Sequence, residues 1–565
     1  MTGNGIERRT DPRRGVVTRV GLVLVATGIA SAAIDRRSLA GVQPDVRLAI
    51  AFGLFVGLLL LATFRRPPGW ATPLAVASVA LVYLLAAAEL ASSMLGMTAY
   101  ALLMLGATLV TAPHLRPLMV GAFALWTPAL WLFGPTAALA ELPAPLRVAS
   151  VFALAFTVIA IADPRRTHPS DRLRHAGYGI LAVAVVSTSI GRSLVVSSPG
   201  FAPGEILALI CSIALPLLSY ARIRREWREG IVTGLALLAF AFVGLAYILG
   251  QGYSADVVAA EHRAAEILLT GHDPYATFDL PEALARFNMD PQLATHLEDG
   301  NVVHTLNYPP MSFLPVAAYL LTGFSDIRWL FLVEVMLIAV VAARQLRPAW
   351  RAPALATVIG SEIVTRQWIL AGVDPSWALY TLLAWLLRER RVLSSILLGL
   401  AIADRQPAWF VAPFFVLAIL ERYGRREAVK TALIAIGTAF AILLPFLFTD
   451  AARTIGGILA PILAPLVFAG VGLVRYGAED AGPLLPRVAY TAISIGAVLG
   501  LLVLLWRRPR SLAGAPLVWP FLPLYLAWRS AQNYFAAAPL FAFVADDELA
   551  DVEEPREPGE TTAPR

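Results

Sequence analysis

The chain has 565 residues, of which 58% are hydrophobic and only 15% charged, and its mean hydropathy is +0.69, too apolar for a water-soluble globule. Its net charge of +6 is carried almost wholly by arginine, Lys430 being the sole lysine, in short clusters between apolar runs. A nucleic-acid partner would need those cations on one folded face, so that class is excluded, and the single Cys211 rules out an intramolecular disulfide or a cysteine metal cage.

Residues 1–15 are polar and basic and read as a disordered cytoplasmic tail. Apolar runs follow at 20–34, 47–64, 71–91, 95–112, 117–134, 147–162, 176–194, 204–221 and 231–249, each near the ~20 residues that a helix needs to cross a bilayer. Arg8, Arg9, Arg13 and Arg14 resemble the charged start of a signal peptide, but no small-residue cleavage site follows, so the first run is expected to be a retained span. Residues 16–229 form an N-terminal transmembrane module to which the sequence assigns no chemistry; its charges Glu89 and Arg192 read as paired or snorkelling. The clusters Arg65-Arg66, His114 to Arg116, Arg165 to Arg174 and Arg222 to Arg228 fall in alternate loops and place those loops inside the cell. That parity puts residues 251–307 outside.

The polar stretch from Tyr253 to Pro310 is where water-borne chemistry has room. Read as a helix, Ser254 to Leu269 sets Asp256 and Arg263 two turns apart on one side above Ala259 and Ala260, with space for a ligand beside a carboxylate, while His262 falls off that face. Partial desolvation suits Asp256 to the role of general base; the competing reading is a solvated juxtamembrane carboxylate. Gly271-His-Asp-Pro-Tyr275 reads as a turn. His262, His272, His296 and His304 match no compact metal motif, so no metal site is expected, and the absence of a phosphate-binding glycine loop argues against a nucleotide-driven pump.

Further apolar runs lie at 309–323, 327–343, 353–371, 376–387, 392–404, 408–420, 428–447, 456–474, 486–506, 512–528 and 533–545. The basic clusters at 344–351, 388–391, 422–426 and 507–510 all want the inside, which requires two runs not to cross. The proline-broken 309–323 and 456–474 are the expected exceptions, re-entrant or surface-lying on the outer side. Arg366, Asp374, Asp404, Arg405 and Arg529 then fall near the outer ends of spans, on the side of Asp256, and as a set suggest one polar cavity; singly, each reads equally as a snorkelling or paired charge. Residues 546–565 form an acidic, disordered tail. The expected fold is an all-α, polytopic bundle in the cell membrane.

An acidic residue just after a span, a short helix, Gly-x-Asp-Pro-Tyr and a later Tyr-Pro-Pro together resemble the membrane-embedded glycosyltransferases of the C-type fold, especially glycosyltransferase family 87. Asp256, Gly271, Asp273, Pro274, Tyr275, Tyr308, Pro309 and Pro310 carry the resemblance, and Gly372-Val-Asp374, Gly399 to Ala403, Arg405 to Trp409, Ala412 to Phe414 and Asn533-Tyr534-Phe535 extend it over about 230–545. Two features depart from the pattern: the loop follows the ninth span rather than the first, and Arg405-Gln406 replaces the Lys that many relatives carry before the proline. The resemblance implies inverting transfer of a sugar, mannose among the candidates, from a polyprenyl-phosphate donor to a lipid or cell-envelope glycan acceptor on the outer face, without a cofactor. It implies Asp256 as the catalytic base and Arg263, Asp273, Tyr275, His304, Tyr308, Arg366, Asp374, Arg405 and Arg529 as substrate-binding residues. A transporter or flippase of lipid-linked glycans is the alternative, because a polar cavity between many spans fits that class too; a membrane scaffold is the third.

Overall fold

The computed structural model describes residues 225–346, 348–359, 364–470, 485–507 and 515–538, with the isolated positions 181, 207, 210, 211, 214, 474, 540, 541 and 544. Both tails, nearly all of the N-terminal module with Glu89 and Arg192, and most of the run 533–545 beyond 538 lie outside the described residues.

The described chain is mostly helical. Helix α1 (Arg225–Gly250) leads into a polar lobe built from α2 (Asp256–Leu269), α3 (Pro274–Thr277), α4 (Leu280–Arg286) and α5 (Leu314–Leu320). The bundle continues with α6 (Arg328–Gln345), α7 (Pro348–Ile359), a π-helical turn Val364–Leu370, α8 (Ser376–Leu386), α9 (Arg391–Asp404), α10 (Pro407–Tyr423), α11 (Arg425–Leu463) and α12 (Arg487–Arg507), then the short α13 (Ala515–Val518) and α14 (Phe521–Leu526). Three of the described helices, α1, α11 and α12, are long and apolar enough to cross a membrane. Leu433, Ile436, Phe440, Leu499 and Val503 on α11 and α12 are exposed, as lipid-facing side chains are.

Helices α8, α9 and α10, where the sequence predicts spans, have only 11, 14 and 17 residues. At about 1.5 Å per residue, α8 covers roughly half of a hydrocarbon core. The polar residues Asp374, Asp404, Arg405 and Gln406 interrupt the apolar runs, and α8 begins and α9 ends where their buried side chains gather. The two proline-broken runs stay with the lobe. Residues 314–320 form one short helix packed on α2. In α11 the backbone breaks at Asp450 (φ −151°, ψ 87°), and beyond the break Gly457 lies against the carbonyl of Leu306, where a Cβ would have no room.

Helices α1, α6, α9, α10, α11 and α12 carry arginine at or next to the end away from the lobe. Helix α1 starts at Arg225 and ends where Arg328, the first residue of α6, donates to the carbonyls of Ile248 (2.8 Å) and Gly252 (3.2 Å); α6 then runs back to Arg344. At that far end Arg351 pairs with Glu229 (3.0 Å), Arg422 with Glu389 (2.8 Å) and Arg391 with Glu427 (2.9 Å). Arg487 at the start of α12 donates to the carbonyl of Ala464 on the lobe side, and α12 ends at Arg507.

Two apolar cores result. One fills the bundle around Trp368, Trp377, Phe415 and Phe521, the other fills the lobe around Ala259, Ala264, Tyr275, Leu306 and Phe313, and Tyr308 packs against both. Gly399 lets α9 and α11 touch, since a Cβ there would meet the carbonyl of Ala435 at 2.6 Å. Gly372 combines a φ of +66° with close contact to Val258, so only glycine suits the turn that brings Asp374 under α2.

Candidate functional site

Asp256 is the first residue of α2, one short loop after the apolar α1, where a carboxylate is favoured by the helix dipole. Its half-buried side chain accepts a hydrogen bond from the Thr295 hydroxyl at Oδ2 (2.5 Å); among the described residues Oδ1 has no hydrogen-bond partner. Thr295 opens a hairpin closed by Val303 N–H donating to its carbonyl (2.9 Å), with Gly300 (φ +87°) at the tip. That hairpin is held by the chain after α11: Glu298 N–H donates to the Pro465 carbonyl (2.7 Å) and Val467 N–H to that of His296 (3.0 Å). The same segment continues as strand β1 (Ala469–Gly470), parallel to β2 (Arg529–Ser530). Three stretches remote in sequence thus lie side by side, the first of them meeting Asp256 through Thr295, and the half-exposed Arg529 on the last donates to the Val467 carbonyl (3.5 Å).

Tyr308 joins the neighbourhood of Asp256 to the interior. Its backbone carbonyl accepts from the Tyr275 hydroxyl (2.7 Å), so the Gly271–Tyr275 turn and the Tyr-Pro-Pro turn are fastened together. Gln406 Nε2 donates to the neighbouring Asn307 carbonyl (3.0 Å) and to that of Ile458 (3.3 Å). The guanidinium of Arg405 lies over the Tyr308 ring, 4.5 Å from its centroid. Burial pushes the Tyr308 hydroxyl up, the charge of Asp256 adding to the effect and that of Arg405 opposing it. Tyr534 is a further neighbour.

Beneath Tyr308, Arg405 is ion-paired with Glu261 of α2 and lies 3.8 Å from Asp374; all three are almost fully buried. Burial pushes the Glu261 carboxyl well up, with Arg405 opposing. Asp374 Oδ1 also accepts the N–H of Ser376, the first residue of α8 (2.7 Å). Of the residues predicted for the site, the structure therefore gathers Asp256, Tyr308, Asp374 and Arg405 into one neighbourhood. Of the charges expected at the outer ends of spans, Asp374, Asp404 and Arg405 are buried together with Glu261.

The other predicted residues have local partners. Arg263 does not meet Asp256; it pairs with Glu266 (3.2 Å) and Glu282 (2.7 Å), and Arg286 joins them through Glu266. Asp273 caps α3 through the Tyr275 N–H (2.9 Å), and burial pushes its carboxyl up, opposed by that bond. Tyr275 is buried edge-on against Phe313 and Phe446. His304 is exposed and bonded to Asp279 (2.5 Å). The backbone of Arg366 lies in the π-helical turn Val364–Leu370; its side chain is outside the described residues.

Two buried charges, Glu261 and Arg328, are not visible in a helical-face reading. Glu261 sits inside a helix whose other buried positions are apolar apart from His262, and an isolated carboxylate there demands a cation; Arg405 supplies it from 144 residues away. Arg328, also buried, holds Asp326 in two parallel bonds (3.0 and 2.7 Å) and stands 5.2 Å from the ring centroid of Tyr253. Tyr253 in turn bonds His262 Nδ1 (3.0 Å), whose ring stacks on Phe287. This second hub fixes the place where the chain leaves α1 for the lobe. Among the described residues no three His, Cys, Asp or Glu side chains converge as metal ligands would. No family model, curated protein or solved structure matches the chain.

Proposed function

We propose that this chain is an integral membrane glycosyltransferase that moves a sugar from a polyprenyl-phosphate donor to a lipid or envelope-glycan acceptor on the outer face of the cell membrane. The observation that carries the reading is Asp256: a half-buried carboxylate just beyond an apolar helix, oriented by Thr295 through one oxygen with the other unpaired among the described residues. In this reading Oδ1 takes the proton of the acceptor hydroxyl as that oxygen forms its bond to the anomeric carbon, and the bond from that carbon to the donor phosphate breaks on the opposite side, inverting the configuration. Arg529, half-exposed on the strand paired with β1, is the cation assigned to the departing phosphate in this reading. Arg405, engaged by Glu261 and Asp374, acts through Tyr308, whose ring it holds against the site. The shared basic end of the helices supports an outward-facing lobe, because positive charge favours the cytoplasmic side.

One observation favours a second reading, a transporter or flippase of lipid-linked glycans: buried carboxylates between helices are a feature of that class. The experiment that separates them is incubation of the purified full-length protein with radiolabelled polyprenyl-phosphate sugars and a membrane lipid extract. Appearance of label in a new, glycosidically linked product supports the transferase. Movement of intact lipid-linked glycan across vesicles without a new bond supports the transporter and overturns the transferase.

A further inference from the structure

Charge does not balance beneath Tyr308. Glu261 from α2, Glu334 from α6, Asp374 before α8, and Asp404 and Arg405 at the end of α9 meet there, four carboxyls against one guanidinium, and none is more than 7% exposed. Tyr308 and Tyr380 also face the group, and Asp256 lies beyond Tyr308. Among the described residues, Glu261 Oε2, Glu334 Oε2, Asp374 Oδ2 and both oxygens of Asp404 meet no donor, and Arg405 Nε meets no acceptor within hydrogen-bond distance. An ionised carboxylate can only accept, so two such groups facing each other out of water repel and leave their lone pairs bare. Yet the carboxyls of Asp404 and Asp374 lie within hydrogen-bonding reach of each other. A proton on Asp404 turns that clash into a donor–acceptor bond to Asp374.

We propose that this network is a proton-binding site, with one proton shared between Asp404 and Asp374, a second on Glu334, and Glu261 ionised against Arg405. Protons fit better than a metal ion, because the oxygens do not converge as metal ligands would. The proposal is independent of the transferase reading, since it rests on buried carboxyl oxygens of the resting protein that meet no donor.

Infrared spectroscopy of the full-length protein in an ester-free detergent tests it at neutral pH. The expected result is a carboxylic C=O band that shifts on deuterium exchange, loses its shared-proton component in Asp374→Asn and in Asp404→Asn, loses a second component in Glu334→Gln, and is unchanged in the exposed control Asp299→Asn. Asp404→Asn should also melt at the wild-type temperature, because the amide replaces a neutral acid and still donates to Asp374. A wild-type protein without such a band overturns the proposal, and so does a band that all three network variants leave intact. Melting that rises with added sodium or magnesium, with no carboxylic band, assigns the charge balance to a metal cation and equally overturns it. A wild-type spectrum without the band overturns the proposal even where a variant does not fold.

Discussion

Removing one partner of the Glu261–Arg405 pair should destabilise the protein far more than removing both. Their side chains are 0% and 3% exposed, so neither charge can turn to water when its partner is lost. Breaking a buried pair typically costs about 3–5 kcal/mol. In Glu261→Met the guanidinium keeps Asp374 at 3.8 Å, which places the loss near the lower figure, about 3 kcal/mol. In Arg405→Met two carboxylates lose their cation and Tyr308 loses the group over its ring, so the loss should approach about 5 kcal/mol. The double variant exchanges the pair for apolar side chains and should recover most of either loss. The assay is equilibrium unfolding of the purified full-length protein in detergent, followed by near-ultraviolet circular dichroism, for wild type, both singles and the double. Because the pair is shielded from ions, the differences should be the same at low and high salt. Singles that each cost under about 1 kcal/mol, or a double whose loss equals the sum of the singles, would refute the reasoning, since neither result is compatible with two desolvated charges in contact.

His262 should make stability fall in acid. Burial lowers its pKa, with the carboxylates of Glu266 and Asp326 opposing, so the unfolded chain binds the proton first: stability is complete above the unfolded value of about 6.5 and is lost as pH falls below it. Unfolding midpoints from neutral to mildly acidic pH should show that loss in wild type and a smaller one in His262→Gln. Arg529→Ala should weaken donor binding about 10- to 100-fold, the loss expected for one charge-assisted contact, with melting temperature unchanged, as measured by equilibrium binding of a labelled polyprenyl-phosphate sugar. The lobe should face outward: with Cys211 replaced, Gln292→Cys, at an exposed position, should react with an impermeant thiol reagent in intact cells, and reaction only after lysis would reverse the orientation.

How much of this was legible in the sequence depends on the range of the interactions. The helix carrying Asp256, the turn at Gly271–Tyr275 and the failure of 309–323 and 456–474 to continue as simple spans all follow from local signals: periodicity, proline and glycine. The clustering of Asp374, Asp404 and Arg405 was legible only as a shared side. Their burial together with Glu261 was not, because Glu261 lies on another element and looks like one more charge of a polar loop. Arg263 shows the converse. Its spacing from Asp256 places both on one helical face, but they sit two turns apart, about 10 Å along the axis, and nearer carboxylates on α2 and α4 take the guanidinium. Helices α8 and α9 lie close to the apolar runs 376–387 and 392–404, because the polar residues Asp374 and Asp404 to Gln406 break the apolar pattern where the helices begin and end; α10 extends three residues beyond its run, to Tyr423.

The central claim is that Asp256 accepts the acceptor's proton, and the most direct measurement is turnover and donor affinity on the same Asp256→Asn protein. The amide keeps the size of the side chain and can still accept from Thr295 through its oxygen, but it cannot take a proton. Turnover should fall by roughly 10² to 10⁴ while the dissociation constant for a labelled polyprenyl-phosphate sugar stays at the wild-type value. Near-normal turnover in that variant would contradict the assignment of the base, and with it the account of the site.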